Sequence, residues 1–202
     1  MASDAHARFS SFLLRQSDWH PIRTISGEDL AEFDPKIVRE FEQTGLIVPL
    51  RDLRDADEVV FSVDEDIADE DCAWASSAAD GEVVRVSQRA LKRYRIEFDA
   101  VAAHLRRRLE LVGPPIEEVN PRIRFLGASG AGGRRKEVYL VRCLRAEQAL
   151  QPLLSVRAHA GETCAVIVLA LGGLEVPRWV TRQIGDMSIL ALQDLINSRE
   201  PV

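Results

Sequence analysis

Residues 125 to 141, FLGASGAGGRRKEVYLV, place four glycines between Gly127 and Gly133 and follow them with Arg134, Arg135 and Lys136. Small residues that free the backbone beside cations are the raw material of a phosphate-binding loop, and a serine between glycines is that of a nucleophile turn. The spacing denies both. Gly127 and Gly132 have the glycine spacing of a Walker loop, but Gly133 and Arg134 occupy the places that its Lys and Ser or Thr would need. A dinucleotide pattern begun at Gly130 and Gly132 would require glycine where Arg135 stands, and the residues that follow alternate as a strand rather than a helix. Ser129 lacks the following helix that a nucleophile elbow demands, and His159 has no convincing acidic partner in the sequence. The stretch predicts a hairpin tip whose glycines tolerate positive φ and whose basic side chains stay hydrated.

The other chemistry-bearing residues are equally sparing. Cys72, Cys143 and Cys164 form no CxxC, and His6, His20, His104 and His159 lie apart from them, so neither a disulfide framework nor a zinc site is expected. All three thiols are read as reduced, with Cys143 and Cys164 buried. Six of the eight residues 64 to 71 are acidic, yet the glycine and glutamate that a calcium loop needs at its sixth and twelfth positions are missing. Gly172 and Gly173 follow an apolar strand, where α/β sheets place ligands, with Glu175 and Arg178 nearby; an ordinary exit turn explains them as well. No catalytic residue, metal or cofactor is expected.

Basic residues give the stronger signal. Residues 89 to 108, RALKRYRIEFDAVAAHLRRR, hold seven Lys or Arg against Glu97 and Asp99, with Tyr94 and Phe98 interleaved. Lys36 and Arg39, three apart, share a face of a predicted helix. The candidate nucleic-acid contacts are therefore Lys36, Arg39, Arg89, Lys92, Arg93, Arg95, Arg106, Arg107, Arg108, Arg134, Arg135 and Lys136. A solvated helix face is the plainer account of the same charges.

These residues fall on two modules of opposite charge. Residues 1 to 80 carry 7 basic and 19 acidic side chains, and residues 81 to 202 carry 19 and 13. The division expected is a first module over 1–63, an acidic, solvated linker over 64–81 and an α/β domain over 82–202. In the first module, Phe9, Phe12 and Leu13 have helical spacing; Ser26 to Asp29 has the form of a capping box; Asp34 and Pro35 open a third helix that ends at Thr44 and Gly45. Residues 46–50 and 58–63 are expected to pair as a hairpin across 51–57. In the second, strands are predicted at 82–87, 94–98, 122–126, 137–144, 164–171 and 187–192. Asp99 is expected to cap a helix with Val101, Ala102, Leu105, Leu109 and Val112 on one face and Arg106 to Arg108 on the other, closed by Gly113 and two prolines. A short helix from Arg145 should end or kink at Pro152, another should start at Pro177, and a last helical turn is expected at 193–197. The fold class is mixed α/β.

IVREFEQTGLIVPLR, residues 37 to 51, resembles the stretch of MerR-type and other winged-helix bacterial regulators in which a helix closes on Gly-Leu-Ile and feeds the strand that starts the wing. The resemblance implies a winged helix-turn-helix at the N-terminus and a role in transcription regulation. The long dimerisation helix of MerR-type proteins is absent, so no effector or metal is carried over. Lys36 and Arg39 are balanced by Glu40 and Glu42, and Arg51 and Arg54 by Asp52, Asp55, Asp57 and Glu58, so DNA and a protein stand equally as the partner.

The second module's order of elements resembles that of restriction-endonuclease-like nucleases. The metal-binding acids that such enzymes use are missing: Glu137 is the sole acid of its strand, Tyr139 stands two residues on, and residues 122–126 hold none. A degenerate copy retained for binding or assembly is what this implies. The longest apolar run, Cys164 to Leu171, is far short of the roughly 20 residues of a membrane span. The expectation is a cytoplasmic, non-enzymatic regulator associated with DNA, or alternatively an adaptor subunit of a larger complex, with no membrane partner and with homo-oligomer formation left open.

Overall fold

Asp34 and Gly45 mark the limits of one helix by side-chain and backbone chemistry alone. The computed structural model describes residues 2–19, 24–50, 61–64, 72–77, 83–87, 89, 92–130, 135–145, 148–161, 164–172, 176–185 and 187–193. The chain divides into two compact units, one of residues 1–9 and 22–97 and the other of residues 10–21 and 98–202. Residues 82–97, which the sequence reading allots to the α/β module, therefore fall in the first unit.

In order, the first unit contains the start of α1 (Ala2–Ser17), β1 (Ile25–Ser26), α2 (Gly27–Ala31), α3 (Pro35–Gln43), β2 (Ile47–Pro49), β3 (Phe61–Asp64), β4 (Cys72–Ser77), β5 (Val83–Ser87) and β6 (Arg93–Ile96). The Ser26 hydroxyl accepts from the Asp29 amide and the Asp29 carboxylate accepts from the Ser26 amide, which completes the expected capping box of α2. Phe9 packs edge-on against Phe33 and Phe41, each at 4.9 Å between ring centroids. With Ile25, Leu30, Ile37, Leu46, Ile47 and Ile96 it forms the buried set of this unit.

The strands pair differently from the expected wing hairpin. β2 pairs antiparallel with β6, which also pairs with β1, so the sheet order is β1-β6-β2. β3 pairs with β4 instead, in a second antiparallel sheet of order β3-β4-β5. Residues 72–77 were expected in a solvated linker for want of large apolar side chains. Their backbone groups find partners on both sides, and ladder hydrogen bonds do not require such side chains. Residues 51–57 of the expected wing, 65–71 of the acidic run, 131–134 of the glycine stretch, Gly173, Glu175 and 194–197 lie outside the described residues.

The second unit is a five-stranded mixed sheet of order β11-β10-β9-β8-β7. α4 (Phe98–Arg108) precedes β7 (Glu117–Asn120), β8 (Ile123–Ser129) and β9 (Lys136–Val141), which run antiparallel; α5 (Leu150–Ala160), β10 (Ala165–Ala170), α6 (Arg178–Ile184) and β11 (Met187–Ala191) follow, with β9, β10 and β11 parallel. Parallel neighbours need crossovers, and α5 and α6 supply them. Leu153 and Val156 of α5 and Val180 and Ile184 of α6 join Ile123, Phe125, Tyr139, Val141, Val166, Val168 and Ala170 in one core. The opposite face carries Arg124, whose guanidinium lies 4.9 Å from the Phe98 ring of α4. A sheet covered on both faces accounts for the apolar run of β10.

Several local expectations shift. Asp99 lies inside the first turn of α4 rather than capping it, and its carboxylate accepts from Arg124 Nε at 2.5 Å. α4 ends at Arg108, so Leu109 and Val112 are not on its buried stripe; both are exposed. Pro152 stands in the first turn of α5, where its missing N–H costs no helical hydrogen bond, instead of ending a helix begun at Arg145. Cys143 is buried as expected, while Cys164 is partly exposed.

Candidate functional site

The solvent face of α3 follows from its two ends. Asp34 caps it by accepting from the Lys36 amide at 2.9 Å, and Pro35 occupies the first turn. At the far end the Gly45 amide bonds Glu42 O and the Leu46 amide bonds Phe41 O, with Gly45 at φ 73°: the paired closure of a Schellman motif. Leu46 and Ile37 are buried by this geometry, and Lys36, Arg39, Glu40 and Gln43 are left exposed. His6 Nε2 lies 3.0 Å from Glu40 Oε2. Arg39 thus stands beside a carboxylate that already has a neighbour of its own.

The remaining basic candidates of this unit gather elsewhere. Arg89 and Lys92 are exposed, and the backbone that carries them is pinned to the start of α2, because the Gly27 amide donates to Lys92 O at 2.8 Å. A Cβ at Gly27 would stand 2.5 Å from Arg89 O, so only glycine permits that approach. Arg93 and Arg95 alternate along β6 with Tyr94 and the buried Ile96, and so occupy the sheet face opposite Ile96. Arg95 is paired with Glu97 at 2.7 Å. The basic stretch 89–108 is divided between the units: its first four cations belong to the first and its last three to the second.

In the second unit the glycine stretch is the connection of the β8–β9 hairpin, as its spacing predicts. Gly127 sits at φ 128° beside a register shift in the β8–β9 ladder, and a Cβ there would stand 2.7 Å from Val112 O. Arg106, expected on a solvent face, is instead turned inward. Its Nη1 donates to Leu126 O at 2.9 Å and to Pro114 O, and its Nη2 donates to Gly113 O at 2.9 Å. Arg107, Arg108, Arg135 and Lys136 are exposed. The Arg135 guanidinium lies 3.8 Å from the place of a Cβ at Gly113. Burial lowers the pKa of His104, and Arg107 and Arg108 lower it further. Arg134 is outside the described residues.

Two polar clusters were missed by sequence reasoning. Asp18, 8% exposed, lies at the carboxyl ends of β9 and β10, where its Oδ1 accepts from the Cys143 amide at 2.7 Å and the Cys143 thiol donates to Asp18 O. A Cβ at Gly172 would collide with this carboxylate, which explains the glycine at the end of β10 without a ligand. Burial raises the Asp18 carboxyl, against the hydrogen bond from Cys143, the charge of Arg145 and the hydrogen bond from Gly172. Arg145 itself lies 4.2 Å over the Trp19 ring. Cys143 holds φ 57°, a conformation rare for a side chain with a Cβ, and burial raises its thiol. The position where open α/β sheets receive ligands is thus filled by the chain's own carboxylate.

The second cluster corrects the reading of His159. Tyr139 is fully buried; its hydroxyl donates to Glu137 Oε2 at 2.7 Å and lies 2.8 Å from His159 Nδ1, and His159 Nε2 lies 3.4 Å from Glu117 Oε1. An acidic neighbour of His159 therefore exists, Glu117, brought from β7 rather than from nearby sequence, while Glu137 of β9 reaches it only through the Tyr139 hydroxyl. Burial first, then the bond and charge of Glu137, raise the Tyr139 phenol far above its ordinary value, so it stays protonated as a donor. Ser129 lies on the antiparallel strand β8 opposite Lys136, well away from a nucleophile elbow. Among the described residues, no group of three His, Cys, Asp or Glu could hold a metal, and no helix is long and apolar enough to cross a membrane. No family model, curated protein or solved structure matches the chain.

Proposed function

We propose that the chain is a cytoplasmic, DNA-associated regulator of bacterial type, in which the first unit is a winged helix and α3 is the helix that enters the major groove. The supporting observation is the arrangement of α1, β1, α2, α3, β2 and β6, with β6 between β1 and β2 in the sheet. On this reading the segment between β2 and β6, which holds β3 to β5, stands in the place of an enlarged wing. α3 has 9 residues, and a helix with its side chains is about 10–12 Å across, which a major groove about 12 Å wide admits. Arg39 and Gln43 are of the types that make bidentate bonds to guanine and adenine, and Lys36 is of the type that meets phosphates. No reaction is assigned.

The rival reading, an adaptor that docks on protein, is favoured by Glu40 on the same exposed face, since phosphates repel carboxylates. Changing Lys36 and Arg39 together to Glu separates the two. Loss of duplex binding with an intact fold supports DNA reading, and a wild-type chain that binds no duplex supports the adaptor.

A further inference from the structure

We propose that the end of α4 and the root of the β8–β9 hairpin form a docking site for an acidic peptide that carries apolar side chains. This site does not depend on DNA reading by α3. α4 closes like α3: the Glu110 amide bonds Arg107 O and the Leu111 amide bonds Arg106 O. Here, however, the residue in the left-handed conformation is Glu110, at φ 51°, where glycine is the usual occupant. The closure buries Leu111 and turns its neighbours outward, so Leu109 is 45% and Val112 62% exposed. The turn is fixed: Arg106 ties Gly113, Pro114 and Leu126 together, and Val112 makes both backbone bonds of a bridge with Ala128.

Two apolar side chains are thus held in a rigid turn, with the exposed carboxylate of Glu110 between them and four exposed cations around them. Arg107 and Arg108 stand on the helix side, Arg135 beside Gly113, and Lys136 at the start of β9. The complement of this surface is negative and partly apolar. Arginines outnumber lysine in the frame, and their planar forks match carboxylates in two parallel bonds. Duplex DNA would satisfy the cations but leave Leu109 and Val112 against solvent or sugar-phosphate, whereas an acidic peptide with Leu or Phe between its carboxylates covers both.

The test is fluorescence anisotropy on the full chain with three labelled probes: a short peptide alternating Glu and Leu, one of equal charge alternating Glu and Ser, and a short duplex DNA. The Glu and Leu peptide is expected to bind about tenfold more tightly than the Glu and Ser peptide. Changing Leu109 and Val112 together to Ser should erase that difference. Changing Arg107 and Arg108 together to Gln should weaken binding of the Glu and Leu peptide about tenfold and flatten its salt dependence. All four side chains are exposed, so melting temperatures should hold, and Arg135→Gln gives a second reading from outside α4. Equal affinity for the two peptides, binding that ignores the Ser changes, or tighter binding of duplex at this patch would overturn the proposal, as would no binding of any peptide.

Discussion

α3 and α4 end alike but differ in where their cations stand. Each closes with the same two backbone bonds, but α3 places Gly45 in the left-handed position and α4 places Glu110 there. Lys36 of α3 lies in the first turn, where the helix dipole disfavours a cation, whereas Arg107 and Arg108 lie in the last turn of α4, where it favours them. The fold therefore explains the α4 arginines cheaply and does not explain Lys36. Under the proposed DNA reading, Lys36 finds in a phosphate the counter-charge that the first turn of its own helix does not supply.

The adjacent arginines of α4 offer the sharpest break in this comparison. Arg106 satisfies three backbone carbonyls and Arg107 satisfies none among the described hydrogen bonds. Arg106→Ala should cost about 2 kcal/mol in denaturant unfolding, and Arg107→Ala less than about 0.5. Comparable losses would mean that the inward course of Arg106 is wrong. The two closures should then respond with opposite signs. A Cβ at Gly45 meets nothing within 4 Å, so Gly45→Ala pays the left-handed backbone cost alone, about 1 kcal/mol. Glu110→Gly relieves that same cost and should raise the melting temperature, by a few tenths to about 1 kcal/mol in stability once the freer unfolded chain is counted.

A third helix end sharpens the contrast. α1 finishes without a left-handed residue, and Asp18 just beyond it is held by the Cys143 amide at the carboxyl end of β9. Its raised pKa means that the native chain keeps a proton where the unfolded chain has lost it. The stability from this difference is fully present below the ordinary value of 3.8 and is lost as pH rises through the raised one. Asp18→Asn cannot ionise, so its melting temperature relative to wild type should climb from acid toward neutral pH. A constant difference would show that Asp18 does not titrate in this range.

Local chemistry was legible where neighbours in sequence settle the structure. The capping box at Ser26, the limits of α3, the β8–β9 hairpin and the apolar strand β10 follow from caps, glycines and periodicity within a few residues. What escaped depends on distant partners. β2 pairs with β6 across more than forty intervening residues, and nothing in residues 46–63 distinguishes that partner from the nearer strand. Asp18 meets Cys143 at a separation of 125 residues, Tyr139 meets His159 at 20, and Arg106 finds a carbonyl on β8, that of Leu126, that no spacing rule announces. The candidate cations were found by type, but their division between two units rests on β6 belonging to the first sheet.

The most direct test of the central claim is to measure duplex binding and thermal stability together on wild type and on the full chain with Lys36 and Arg39 both changed to Glu, at one fixed salt concentration. The double change removes two cations from the exposed face of α3 and places an acid in its first turn, where the dipole favours it by about 0.3 to 1 kcal/mol. The account predicts that affinity for duplex DNA falls by about a hundredfold or more while the melting temperature stays level or rises. Equal duplex binding by the two proteins, or a wild type that binds no duplex at all, would contradict it.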